Sequence, residues 1–282
     1  LATDELRQVD HLQQTRQTSP RARARLIWAF AIRDLRARFT ATSLGLIWTV
    51  IVPIATVVIY SMVFAIIFRA QAPPMGNGDP GVFAAWFFVG LVVWNTFSQV
   101  TMGGMGSILG MGAMLQKVFI PSYVPVMASA VTLAVEKLIE TSVMLLLLLL
   151  LQNVGWTWLL FPFVLVVLWV FASALSYCLA VAIVHFRDTG QIVGILMQMW
   201  FFLTPVMYPV SLIPEEWNGI PLRQLFALNP MADFVGISRL LLYELRLPPL
   251  GPVLYVGVWT VALVGLAALV YRKWGRDVGE AI

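Results

Sequence analysis

An all-α integral membrane protein is the fold this sequence predicts, and three observations carry the prediction. Hydrophobic residues make up 60% of the 282 and charged residues only 11%, against about 25% charged in a soluble domain. The few charges are separated by long uncharged intervals of the length a bilayer demands, since a hydrocarbon core of about 30 Å takes roughly 20 helical residues. Basic residues crowd one set of connecting segments, as they do at the cytoplasmic flanks of membrane spans. The same composition excludes an ordinary cytosolic enzyme, a disordered chain and a nucleic-acid binder. A single cysteine, Cys178, excludes a disulfide framework or a cysteine-based metal cluster.

Charges are missing between residues 39 and 68, 80 and 116, 118 and 135, 141 and 186, 189 and 214, and 247 and 271. The interval 141–186 is too long for one span and divides at the turn signal Gln152-Asn153-Val154-Gly155. Six transmembrane helices result, at about 43–67, 82–103, 124–151, 156–184, 190–211 and 251–271. The third is interrupted early by Glu136, Lys137 and Glu140. Ahead of them, residues 1–20 read as a flexible cytoplasmic arm and 21–282 as one membrane domain.

Orientation follows from the basic residues. Eight arginines from Arg7 to Arg38, with Lys117, Arg187, Arg272, Lys273 and Arg276, place thirteen on one side. Arg69, Arg223, Arg239 and Arg246 place four on the other, and Lys137 lies in a span. With an even number of spans, both termini are expected in the cytoplasm. The first forty residues are polar and hold no cleavable signal pattern, so the first span is expected to direct insertion.

Three connecting regions carry more than connection. Residues 21–39 read as a basic amphipathic helix, with Arg21, Arg25, Arg33 and Arg36 within a sector of about 120° and Leu26, Phe30 and Leu35 immersed in the membrane surface. Gly103, Gly104, Gly106 and Gly110 weaken the start of the loop 103–125, where a short helix around Met111 to Phe119 lies across the membrane face. Pro205 and Pro209, one turn apart in TPVMYP, break the fifth helix, because each lacks a backbone donor. In lipid such a break survives only where protein or a wet cavity satisfies the freed carbonyls. The segment is therefore expected to dip back from the outer face as a re-entrant hairpin. Asn229-Pro230 then opens a second amphipathic helix, Met231 to Arg246. Its Phe234, Ile237, Leu241 and Leu242 are expected against the membrane, and Asp233, Arg239 and Glu244 toward water.

Catalytic chemistry is thin. His11 and His185 are far apart in sequence, and no lysine follows a glycine, so a Walker A loop is missing. The intramembrane cluster Glu136, Lys137 and Glu140 allows a Lys137–Glu140 pair at i,i+3. It also leaves open a proton-coupling role. Aromatics gather as Trp86, Phe87, Phe88 and Trp94, as Trp156, Trp158, Phe161 and Phe163, and as Trp200, Phe201, Phe202 and Tyr208. Most are expected at the interfacial belt or facing lipid. The last group, beside the helix break, is expected to line any conduit, where flat apolar rings suit the C–H faces of sliding sugars.

The order of a basic amphipathic helix, LGLIWTVIVPI, LQKVFIPSYVP, HFRDTGQIV, TPVMYP and NPMADFVGISR resembles the membrane subunit of ABC-2 type polysaccharide exporters, over nearly the whole chain from Arg21. The resemblance implies a homodimeric permease energised by two copies of a separate ATPase that binds ATP and Mg. It implies lipid-linked polysaccharide, such as O-antigen or cell-wall galactan, as cargo in the cytoplasmic membrane. It further implies ATPase coupling through Met111, Gln116, Lys117, Phe119, Arg187 and Asp188, and an outer gate around Pro205, Pro209, Pro214, Asn229 and Pro230. Here Gln116, Lys117 and Ser122 stand where relatives often carry a more basic, Arg-containing loop. Arg33, Arg36 and Arg38 are the expected attraction for a diphosphate headgroup. Two rivals stay open: a proton-coupled transporter or flippase using Glu136 and Glu140, and a glycan-modifying enzyme using Glu215 or Glu216.

Overall fold

The computed structural model describes residues 20–40, 45–111 and 120–275. The flexible arm expected at the N-terminus lies outside them, apart from Pro20. In chain order the helices are α1 (Pro20–Thr40), α2 (Trp48–Ser61), α3 (Phe83–Gly110), α4 (Tyr123–Leu150), α5 (Phe161–His185), α6 (Thr189–Leu203), α7 (Leu222–Ala227), α8 (Pro230–Leu242) and α9 (Leu250–Trp274). A π-helical stretch, Met62–Ile67, continues α2, and a 3-10 turn, Trp156–Leu160, leads into α5.

Among the described residues, four segments are long and apolar enough to cross a membrane: Trp48–Ile67, Phe83–Gly110, Trp156–His185 and Leu250–Trp274. α4 has 28 residues, but every membrane-length window in it contains Glu136, Lys137 and Glu140. α6 has only 15 residues, roughly 22 Å at 1.5 Å per residue. It ends at Leu203, short of the expected 211, because Pro205 withholds the next donor and Thr204 turns the chain to extended geometry.

The second span runs on to Gly110 and is not interrupted at Gly103. Glycine serves packing here: a methyl on Gly104 would collide with the Ser176 hydroxyl, and one on Gly103 would lie 2.9 Å from Leu133. Small residues let α3 approach α5 and α4 closely, as in other membrane helix pairs. α3 is the hub, packed against α4, α5 and α8. Its aromatics Trp86, Phe87, Phe88 and Trp94 sit in the protein core and away from lipid, a correction to the expected belt. A smaller core of Phe30, Ile108, Met111, Val124 and Tyr177 closes the other end. Phe30 of α1 thus rests on protein, with Leu26 and Ile27 packed beside it.

The turn after α4 forms where the sequence signals it, with Gln152 in left-handed geometry at φ 53°. Fully buried Asn153 donates to the Leu242 and Tyr243 carbonyls at 2.9 Å each and accepts from Asn77 N at 3.1 Å. One amide thereby joins two loops to the end of α8.

Candidate functional site

Between the broken end of α6 and α9, α8 is a core helix, which corrects the amphipathic reading. Phe234, Ile237, Leu241 and Leu242 pack against protein, and Arg239 is 6% exposed. The Arg239 guanidinium donates to the carbonyls of Pro205 and Val206 at 2.6 Å each and to that of Trp86 at 3.3 Å. Its Cζ lies 3.4 Å from the Trp86 ring centroid. Gly90 makes the room, since a methyl there would lie 2.6 Å from the guanidinium. The two carbonyls just past the helix end are therefore satisfied by a cation from the helix that follows the break.

Asn229 caps α8. Its Oδ1 accepts from Met231 N at 3.0 Å and from the Trp200 indole at 2.8 Å. Its Nδ2 donates to Thr204 Oγ1 at 2.9 Å and to the Leu203 carbonyl at 3.3 Å. Of the expected gate residues, Pro205, Asn229 and Pro230 come together here, beside an apolar cavity of about 580 Å³ that Trp200, Asn229 and Pro230 line with Trp259. Pro209 and Pro214 bracket a short turn, Val210–Leu212, further along. Tyr243 ties the segment before α3 to the end of α8: its hydroxyl donates to the Pro73 carbonyl at 2.9 Å and accepts from Val82 N at 3.0 Å. Burial pushes this phenol up to about 12, so it stays a donor.

Near the middle of α3 and α4 lies a second polar site. Glu136 stands thirteen residues into α4, about 20 Å from its N-terminal end. The buried Lys137 pairs with Glu140 at 2.5 Å, as the spacing predicts, and Asn95 of α3 donates to Glu140 at 2.7 Å. Arg38 of α1 reaches Glu136 at 3.0 Å, so neither glutamate is left without a partner. Beside this cluster, α3 has one unburied face, Asn95, Ser98, Gln99, Met102 and Gly106, spaced to share one side of the helix. Gln99 is exposed and makes no hydrogen bond to another described residue. A methyl on Gly106 would meet nothing within 4 Å.

The aromatic group expected to line a conduit divides. Trp200 packs edge-on to Phe97 at 5.1 Å and Phe201 tilts against Trp94 at 5.4 Å, on the side of α3 away from Asn95. Phe202 is exposed, and the Tyr208 hydroxyl donates to its carbonyl at 2.6 Å. Arg33, Arg36 and Arg38 are exposed along α1, with Arg33 also paired to Asp34 at 2.9 Å. Met111 is buried in the smaller core, while Arg187 and Asp188 lie exposed between α5 and α6. Gln116, Lys117 and Phe119 lie outside the described residues.

Sequence reasoning missed Asn95, Gln99 and the inward turn of Arg239. A signal for the first two was present: two carboxamides four residues apart inside an uncharged span. For Arg239 hydropathy is silent, because an apolar helix face reads alike against lipid or protein.

The profile described as ABC-2 type transporter matches residues 25–242. The chain is 32% identical over 258 residues to the O-antigen export system permease protein RfbA of Myxococcus xanthus, covering 91% of this chain and 95% of that protein. It is 22% identical over 206 residues to a protein of the same name from Klebsiella pneumoniae, covering 72% and 74%. It is 24% identical over 216 residues to the polysialic acid transport protein KpsM of Escherichia coli, covering 75% and 78%. With a match across most of its length, and with the broken helix and its partners inside the matched region, this chain belongs to the ABC-2 type transporter family.

Proposed function

We propose that this chain is the permease subunit of an ATP-driven exporter that moves lipid-linked polysaccharide, O-antigen or galactan, across the cytoplasmic membrane. The relatives' names support the cargo class. The observation that carries the path is the open polar face of α3, where Gln99, near the middle of the helix, has a side chain bonded to no described residue. Lipid is a poor solvent for a carboxamide, so such a face belongs against a wet cavity or a hydroxyl-rich chain. In this reading α4 and α6 complete six spans, both termini are cytoplasmic, and two copies enclose the conduit. Trp200 and Phe201 pack behind α3, away from that face, which leaves Phe202 and Tyr208 of the expected aromatics for the conduit's outer wall.

Two ATPase subunits, carrying ATP and Mg, push on the segment from Met111 to Phe119 and on Arg187-Asp188. Arg33, Arg36 and Arg38 gather the diphosphate headgroup, and the segment from Pro205 to Pro230 gates the exit. The glutamate pairings to Arg38 and Lys137 weigh against a proton-coupled mechanism.

Affinity purification of the tagged chain from its own host tests the engine: an ATPase with a Walker A loop is expected in the complex. Complementing a deletion strain tests the path. Gln99→Leu is expected to leave that complex intact while lipid-linked polymer accumulates inside the cell. Normal export by Gln99→Leu dismisses the α3 path, and a complex without an ATPase dismisses the reading as a whole.

A further inference from the structure

Half-buried Asn95 stands on the open face of α3, one turn before Gln99, and its amide is engaged by protein on one arm only. The Nδ2 donates to Glu140 Oε1 at 2.7 Å, while the other oxygen of that carboxylate accepts from Lys137 Nζ at 2.5 Å. Glu140 is 2% exposed and Lys137 5%, so both charges are spent on each other inside the protein. The Asn95 Oδ1 accepts from no described residue and is not enclosed, so it reaches the surface of α3. The orientation is chemical in origin. Glu140 is ion-paired, a carboxylate only accepts, and an amide carries its donors and its acceptor on opposite arms. Turning Asn95 over would set two acceptors against each other in a buried place and forfeit a charge-assisted hydrogen bond. The Lys137–Glu140 pair therefore decides which arm of Asn95 the open face presents.

Charge is missing from the rest of that face. The 28 residues of α3 include no Asp, Glu, Lys or Arg, and its open side adds only Ser98, Gln99, Met102 and Gly106 to Asn95. The four charged residues of the neighbouring cluster cancel in pairs, Lys137 with Glu140 and Arg38 with Glu136. An acidic sugar passing here would bring its carboxylate up to an outward-facing oxygen, with no cation on α3 to receive it. A sugar hydroxyl brings the donor that Oδ1 lacks. Away from bulk water both the repulsion and the hydrogen bond are strengthened.

We infer that Asn95 sets the specificity of this path: held by the Lys137–Glu140 pair, it shows the cargo a hydrogen-bond acceptor, and the cargo is an uncharged, hydroxyl-bearing glycan. The assignment rests on the exporter reading above and narrows its substrate from polysaccharide in general to neutral polysaccharide. Asn95 touches the passing chain. Lys137 and Glu140 are positioning residues, which act on the glycan only through Asn95. Gln99 has both arms of its amide free of described partners and turns either way, so it adds hydrogen bonding without adding a preference for charge.

A host strain lacking this chain tests the charge of the cargo, and its complementation tests Asn95. Lipid-linked polymer is extracted from the deletion strain, freed of its lipid diphosphate by mild acid and passed over an anion exchanger, where it is expected in the flow-through. Asn95→Leu is expected to slow export roughly two- to tenfold per assembled complex, the span of one lost hydrogen bond. Lys137→Met with Glu140→Gln places beside Asn95 a carboxamide that either donates or accepts, so Asn95 is held in its productive orientation only about half the time. That double variant is expected to export about twofold more slowly while keeping most of its thermal stability, a split that a merely structural role does not produce. Polymer retained on the exchanger overturns the assignment and leaves the exporter reading standing. A deletion strain that accumulates no lipid-linked polymer overturns both. Full export by Asn95→Leu overturns the role of Asn95, and full export by the double variant overturns that of the positioning pair.

Discussion

Lys137 and Arg239 are both buried cations, yet the protein satisfies them in opposite ways. Lys137 has a carboxylate partner one turn along its own helix, and that carboxylate is held again by Asn95. Arg239 has backbone carbonyls and an aromatic face, with no carboxylate among its hydrogen-bond partners in the described residues. The first arrangement is an exchange between side chains, so both members can in principle be replaced together. The second repairs a break in main chain, and no second side-chain change can restore what it supplies. A protein can therefore place a charge in the membrane either to balance another charge or to mend a helix.

Mutations separate the two arrangements, and the largest effect is expected from Lys137→Met. It leaves the buried Glu140 uncompensated, at about 3–5 kcal/mol. Adding Glu140→Gln should recover most of the lost thermal stability of the detergent-solubilised protein, because the pair goes as a unit. Arg239→Met comes next. It strands the Pro205 and Val206 carbonyls at about 1–3 kcal/mol each, partly offset by removing a desolvated charge. No second-site change at a side chain is expected to rescue it, and rescue by an apolar substitution at Trp86 would break the contrast. Asn229→Ala should cost about 1–2 kcal/mol through its cap alone, read as earlier heat-induced loss of the folded elution peak. The smallest effect belongs to Arg38→Ala, whose ion pair with Glu136 is half exposed, at about 0.2–1 kcal/mol. A larger loss there would mean that α1 is held to α4 chiefly by that pair.

Helix positions were legible because charge is scarce and a turn signal divides the longest uncharged interval: α4 and α9 begin and end within three residues of the expected 124–151 and 251–271. The TPVMYP break was legible for the same kind of reason, since a missing donor is written in the letter itself. What hydropathy cannot express is the identity of the neighbour. Gly103 and Gly104 look like helix breakers until α4 and α5 stand against them. Phe234 and Leu241 look lipid-facing until α3 covers them, and Arg239 looks wet until two carbonyls claim it. The polar face of α3 was hidden by averaging, because Asn95 and Gln99 sit among aromatics that dominate the helix's mean hydropathy. These are tertiary facts, and the sequence holds only one side of each contact.

The Asn229 amide has one more implication. All four of its hydrogen-bonding positions are occupied, three by groups on or just after α6 (the Trp200 indole, the Leu203 carbonyl and the Thr204 hydroxyl) and one by the first turn of α8. Rotating the amide by half a turn would exchange donors for acceptors at every position, so its orientation is locked. Pulling α6 away from α8 must therefore sever three bonds on a single small group almost at once, with no stepwise route in which the load shifts from one bond to the next. The joint behaves as a shear pin: stiff under thermal jostling, and released as a unit only by a force that exceeds the sum.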